Sequence, residues 1–295
     1  MPVLHIILGP TAVGKTDYAI EAALEAGSPV VSCDSRQVFR ELKIGVARPS
    51  EAQLAAVHHY FIADRSIEEG FTAGAYELEA LELLDELFRT HETVVMAGGS
   101  GLYIDSLCNG LDDFPPADPV LREKLSHRLQ TEGVAALRSE LRILDPESYR
   151  TLDPANGQRI VRALEVTIGT GRPFSSFKTA PAKERPFTIL KTGLTRPRPE
   201  LYARIDRRVD RMMEEGLLEE ARGLLPYRTL PALNTVGYKE LFGYFDGLYN
   251  LGEAVRLIKR NTRHYAKKQL TWWGRDPSIR WTDPEASSCR LRKGT

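Results

Sequence analysis

Several things are scarce in this 295-residue chain, and each scarcity closes a route. No apolar run approaches the length needed to cross a bilayer, so a helical membrane span is excluded. Cysteine is sparse: Cys33, Cys108 and Cys289 are scattered with no C-x-x-C pair, which argues against a disulfide framework or a zinc site and fits a reducing cytoplasm. Net charge is absent, since 40 basic residues offset 40 acidic ones, so the chain as a whole exerts no strong pull on a polyanion. There is no N-K-x-D stretch to read guanine, which counts against a GTPase switch, and no apolar run closing on Asp-Glu, which leaves a motor ATPase unsupported. Repeats and low-complexity tracts are missing too. With no coiled-coil seam or apolar patch legible, a monomer is expected. A hydrophobic content of 42% suffices for a buried core in one or two domains.

What is present begins at residue 9. The apolar run at 3–8 leads into Gly9, Pro10, Thr11, Ala12, Val13, Gly14, Lys15 and Thr16, a strand running into G-x-x-x-x-G-K-S/T. The two glycines let the backbone turn so that successive amides point inward as an anion nest. A following helix at 16–26 adds its positive end. Lys15 supplies a point charge, and the Thr16 hydroxyl can hold Mg²⁺. The pattern commits the chain to a phosphate or pyrophosphate group, though not to ATP. It also starts so early that no signal peptide is expected ahead of it.

Four short apolar runs, at 3–8, 29–33, 93–97 and 189–194, predict buried parallel strands, and amphipathic segments such as 73–90 predict helices between them. Alternation of this kind predicts an α/β fold with a parallel sheet. Residues 114–186 read differently. They open on Phe114-Pro115-Pro116-Ala117-Asp118-Pro119, carry helical patterns at 120–131, 133–145 and 154–169, and close near Pro181 and Pro186. Those proline-rich borders predict a helical insertion domain at 114–186 within a core made of 1–113 and 187–295; a helical layer of one single domain is the alternative. The C-terminal part is helical at 199–225 and 251–273, and the polar tail at 287–295 is expected to fray.

Three further clusters are candidates for chemistry. Asp34 ends the second strand, where open α/β sheets face their ligands, so it suits a base or metal ligand; a helix N-cap explains it equally well. Gly98-Gly99-Ser100-Gly101 ends the third strand and reads as a close-approach site for ligand or as a tight turn. Arg204 and Arg208, at i,i+4, can clamp a diphosphate, or can pair with Asp206 and Asp210 on a solvated face. Between Ala254 and Arg275, seven basic residues (Arg256, Lys259, Arg260, Arg263, Lys267, Lys268, Arg275) occur without an acid. With Tyr265, Trp272 and Trp273 nearby, this stripe suits an RNA backbone and unstacked bases, though the aromatics also suit a core.

Taken in order, GPTAVGKT at 9–16, SCDSRQVF at 32–39, IGVARPS at 44–50, GGSGLY at 98–103, ADPVLR at 117–122, NGQRIVRALEV at 156–166, NTVGYKEL at 234–241 and KKQLTW at 267–272 resemble the tRNA dimethylallyltransferase (tRNA isopentenyltransferase) family. The resemblance implies a P-loop NTPase-like core and transfer of a dimethylallyl group from dimethylallyl diphosphate to an adenosine beside the anticodon. The loop at 9–16 would then grip the donor's diphosphate, aided by Lys15, Mg²⁺ at Thr16, and Arg204 or Arg208. Asp34 matches the general base. Ser100 stands where the family usually has threonine, and Phe39 where tyrosine is commoner. The resemblance places Ser35, Arg36 and Gln37 near the target base. It implies RNA contacts from Arg122, from Gln158, Arg159, Ile160, Val161 and Arg162, from Gly237 and Tyr238, and from Lys267 and Lys268. With no zinc-finger tail, the bacterial form fits, acting on the anticodon stem-loop in the cytoplasm. The rival readings are an adenylate isopentenyltransferase, a P-loop small-molecule kinase, and a non-catalytic RNA-binding protein with a nucleotide site.

Overall fold

The structure is a computed structural model describing residues 1–112, 114–116, 118–178 and 183–285; Ala117, Pro181, Cys289 and the tail at 287–295 lie outside the described residues. In chain order the elements run β1 (Val3–Leu8), α1 (Lys15–Ala26), β2 (Val30–Ser32), α2 (Glu51–Ala56), β3 (His59–Tyr60), α3 (Ala73–Leu87), β4 (Thr93–Gly98) and α4 (Gly101–Asn109). Next come α5 (Pro119–Thr131), α6 (Gly133–Leu144), α7 (Pro146–Thr151) and α8 (Gly157–Thr170). The chain then continues through β5 (Thr188–Leu194), α9 (Arg198–Glu214), α10 (Leu217–Gly223), α11 (Tyr238–Phe245), α12 (Leu251–Trp273) and β6 (Ile279–Thr282).

All six strands are parallel, in the order β3-β2-β4-β1-β5-β6, which is the expected P-loop NTPase-like α/β core. β1 is central, and its Leu4, Ile6, Ile7 and Leu8 have no exposed surface, as a strand covered on both faces requires. Register decides where the site falls. Leu8 lies opposite Gly98 of β4, and Ser32 of β2 opposite Ala97, so the segments after β1, β2 and β4 leave the sheet side by side. A Cβ at Gly98 would sit 2.5 Å from the Cys33 carbonyl carbon; glycine is what lets the β2 and β4 exits touch.

Two strands go beyond the four read from sequence, β3 and β6, both at sheet edges. The helix expected at 199–225 is two helices, because Gly216 adopts φ 101 between α9 and α10. The helix expected from residue 154 starts at Gly157, where the Asn156 side chain accepts from the Arg159 amide and caps it.

Two compact units result: Met1–Cys108 with the chain from Glu184 onward, and Asn109–Lys183. Sequence borders had suggested 114–186. In the first unit, Arg185 donates to the Leu107 and Ser106 carbonyls and to Glu77, so the returning chain is tied to α4 and α3. The elements described in the second unit are all helices. Leu125, Leu137, Leu141, Ile160, Val161, Leu164 and Phe174 form its core. Its Asp145 is buried and accepts from the Ser148 amide and from the amide and hydroxyl of Ser175, bonds that hold its carboxyl below the usual range against the opposing effect of burial. The Lys183 amide donates to the Asn109 carbonyl at 2.8 Å, so the ends of this unit are adjacent.

Candidate active site

A cavity of about 1160 Å³ opens at the carboxyl ends of the strands in the first unit, and Thr11, Lys15, Thr16, Asp34, Gly99, Arg204, Arg208 and Tyr265 are among its lining. Gly9, Ala12 and Gly14 take φ of 150, 66 and 111, the alternation that curls the loop's amides into a nest. Lys15 opens α1 and folds back: its Nζ donates to the carbonyls of Gly9 (2.9 Å) and Pro10 (3.0 Å). Desolvation and then the Arg208 cation pull its pKa down to about 8, with Asp34 opposing.

Three arginines reach the loop from the segment after β5. Arg196 Nε donates to the Val13 carbonyl (2.9 Å), Arg204 Nε to that of Ala12 (2.9 Å), and an Arg208 guanidinium nitrogen to the Thr11 hydroxyl (3.4 Å). Desolvation and the neighbouring Arg204 and Arg211 push the Arg208 pKa down. Cations crowded in this way around an amide nest favour a bound polyanion. The alternative partners, Asp206 and Asp210, bind elsewhere: to Arg263 at 2.5 Å and Lys259 at 2.6 Å on α12. That finding also corrects the picture of an unopposed basic stripe. Its acids come from α9, and Glu253 takes Arg256, while Lys267 and Lys268 stay exposed. The aromatics divide: Tyr265 and Trp272 are 43% and 41% exposed, whereas Trp273 is buried.

Across the cavity, Asp34 is both a cap and a cavity wall. Its Oδ1 accepts from the amides of Arg36 (2.9 Å) and Gln37 (3.3 Å), fixing the turn after β2. Ser100 does not reach Asp34; its hydroxyl accepts from the Ser35 amide (2.9 Å) and donates to the Ser35 hydroxyl (3.1 Å). Gln269 links the two walls: its Oε1 accepts from the Thr11 amide and its Nε2 donates to the Gly99 carbonyl, both at 2.9 Å. A Cβ on Gly99 would meet Gln269 Nε2 at 2.6 Å. Neither Gln269 nor Arg196 stood out in the sequence as a site residue, although Gln269 lies inside KKQLTW.

The residues linked to RNA by resemblance have mixed placements. In the second unit Gln158 and Arg159 are exposed at the start of α8. Arg122 and Arg162 both pair with the buried Glu165, at 3.5 and 3.1 Å. Ile160 and Val161 are each 1% exposed, and their side chains pack in the core of that unit. In the first unit Gly237 and Tyr238 are also buried, and Tyr238 donates its hydroxyl to Glu220 at 2.7 Å; the exposed groups there are Asn234 and Lys239.

No group of three or more His, Cys, Asp or Glu is placed to hold a metal among the described residues. The oxygen donors Thr16 and Asp34 do line the cavity, and Mg²⁺ commonly uses one or two protein oxygens with substrate phosphates. The donor set therefore fits a Mg²⁺ that a diphosphate helps to hold. No helix among the described residues is long and apolar enough to cross a membrane.

Comparison with known proteins agrees with this geometry. Residues 37–276 match the family model described as IPP transferase. A tRNA dimethylallyltransferase of Porphyromonas gingivalis is 53% identical over 283 residues, spanning 96% of this chain and 94% of its own length. One from Cytophaga hutchinsonii is 50% identical over 279 residues, spanning 95% and 92%. Among solved structures, the full-length tRNA isopentenylpyrophosphate transferase of Bacillus halodurans matches with a TM-score of 0.70 and 34% identity, over 96% of this chain and 90% of that one. With a family match over most of its length and relatives this similar, the chain belongs to the IPP transferase family.

Proposed function

We propose that the protein transfers a dimethylallyl group from dimethylallyl diphosphate to the exocyclic N6 amine of the adenosine 3′-adjacent to a tRNA anticodon, giving N6-isopentenyladenosine. The observation that carries this reading is one cavity holding both a cation-rimmed phosphate loop and the Asp34 carboxylate. The donor's C1–O bond breaks and diphosphate leaves with the electron pair. The N6–C1 bond forms, and the proton shed by N6 passes to Asp34. Lys15, Arg204, Arg208 and the loop amides act most strongly on charge that grows as diphosphate departs, so they lower the barrier rather than merely retain substrate. Thr16 would hold Mg²⁺, which would supply further neutralisation of the leaving group. Ser100, through Ser35, steadies the turn that carries Asp34.

An adenine in a stacked loop must leave its stack to meet N6 with the donor. The half-exposed Tyr265 ring on the cavity lining offers a face for it. The exposed Gln158, Arg159, Lys267 and Lys268 suit the phosphates of the anticodon stem-loop, and a cytoplasmic monomer would suffice. Incubating the protein with dimethylallyl diphosphate and unmodified tRNA, followed by nucleoside mass analysis, should yield N6-isopentenyladenosine next to the anticodon. Transfer to free AMP alone would reverse the acceptor.

A further inference from the structure

Four hydrogen bonds converge on the carboxylate of Glu220 in α10. Its Oε2 accepts from the main-chain amides of Lys43 (3.2 Å) and Ile44 (2.8 Å). Its Oε1 accepts from the Gly45 amide (2.9 Å) and the Tyr238 hydroxyl (2.7 Å). Three successive amides aimed at one anion form a nest, here filled by a side chain of the same unit. A Cβ at Gly45 would come within 2.6 Å of the Tyr238 ring, so the loop rests directly on that ring.

The loop is held further along as well. Gln37 Nε2 donates to the carbonyls of Val46 (3.1 Å) and Ala47 (3.0 Å), and Ala47 sits at φ 49. Gln37 itself belongs to the turn that Asp34 Oδ1 caps. One continuous set of bonds therefore runs from Glu220, through residues 43–47, to the Asp34 turn. Lys43, Ile44, Val46 and Arg48 line the cavity on this side. The phosphate loop has different supports, namely Arg196, Arg204 and Gln269. Glu220 and Tyr238 brace the acceptor wall alone, and Gln269 joins the phosphate loop to the β4 turn.

We propose that Glu220, together with Tyr238, is a positioning residue for the RNA acceptor: it holds residues 43–48 as the wall against which the nucleic acid docks and touches no reacting atom. This rests on the transfer reaction proposed above and deepens it. Tyr238 then acts on RNA through the loop it supports, which accounts for its complete burial. Glutamine at 220 would present one acceptor oxygen and turn an NH₂ group toward amide donors, so the nest would open without loss of side-chain volume.

The test compares Glu220→Gln and Tyr238→Phe with the parent protein in three measurements. These are steady-state transfer to an unmodified anticodon stem-loop RNA, RNA affinity by fluorescence anisotropy, and amide hydrogen exchange. The expected result is an RNA KM and Kd raised about ten-fold in Glu220→Gln and about three-fold in Tyr238→Phe. The KM for dimethylallyl diphosphate stays within about two-fold, and the amides of 43–45 exchange faster. Faster exchange with unchanged RNA affinity would make Glu220 a structural brace only and overturn the proposal. An equal rise in both KM values would overturn it too. Should Glu220→Gln fail to fold, Tyr238→Phe keeps the carboxylate, loses one bond, and carries the same comparison. If the parent protein transfers nothing, the reaction reading falls, and anisotropy with exchange still decides the positioning role.

Discussion

Asp34 occupies two positions at once, and the choice of substitution separates them. Its Oδ1 caps the amides of Arg36 and Gln37, so replacement by alanine would disturb the turn as well as any chemistry. Asparagine keeps the capping oxygen and loses the basic carboxylate. Asp34→Asn is therefore expected to lower single-turnover transfer by about 10²- to 10⁴-fold, with RNA affinity and melting temperature close to parental. Transfer at the parental rate would remove Asp34 as the base. Lys15 makes a second, independent case. Because desolvation and Arg208 bring its pKa to about 8, the free enzyme loses this cation as pH rises through that value. The kcat/KM for dimethylallyl diphosphate should then fall above about pH 8, and Lys15→Arg, always charged, should abolish that alkaline limb whatever its residual rate. At this scale the sequence left real alternatives because side-chain partners are chosen in space. Asp206 and Asp210 lie two residues from Arg204 or Arg208 on paper, yet they pair with Arg263 and Lys259, some fifty residues away, which leaves the two arginines to reach the phosphate loop.

Among elements, legibility follows length and burial. β1 and α12 have the bounds read from sequence, because one is an apolar run broken only by His5 and the other a long amphipathic pattern capped by Asn250. β3 has two residues and β6 four, too few for a period, and α4 begins inside the glycine turn that masked it. The site's framework was legible wherever it rode on β1, β2 and β4. Its braces, Arg196, Glu220 and Gln269, were not, since each meets a partner more than 150 residues away. β1 also carries a polar residue that its apolar pattern concealed. His5 is 3% exposed, its Nε2 lies 2.8 Å from the Thr192 hydroxyl of β5, and burial lowers its pKa to about 4. The unfolded chain takes up this proton near pH 6.5 and the folded chain only near 4. Stability is thus fully present above about pH 6.5 and is lost as pH falls from there toward 4, by roughly 3 kcal/mol at the acid end. Urea melts at pH 7 and pH 4.5 should reveal this slope, and His5→Gln should flatten it; an unchanged slope would assign the acid loss to other groups.

For the molecule as a whole, the division of labour between the two units is open to direct dissection. The ends of the helical unit are joined by the hydrogen bond between the Lys183 amide and the Asn109 carbonyl, so the gap left by its removal is short. On the far side of the splice, Arg185 holds the returning chain through the Ser106 and Leu107 carbonyls and the Glu77 carboxylate, contacts that lie wholly within the first unit. Every residue lining the large cavity also lies in that unit. A core in which two glycines replace Asn109–Lys183 should therefore fold and bind dimethylallyl diphosphate by calorimetry within about three-fold of the parent. The exposed Gln158 and Arg159 would be gone. If these two residues meet RNA phosphates as proposed, transfer to tRNA should fall by about 10²-fold or more through the RNA KM. Arg185→Ala in the same core would remove a buried charge partner from Glu77 and the donor to the Ser106 and Leu107 carbonyls, and is expected to lower its stability in a urea melt. A spliced core that still modified tRNA at the parental rate would move the grip on RNA entirely onto the first unit, to Tyr265, Lys267, Lys268 and the wall that Glu220 holds.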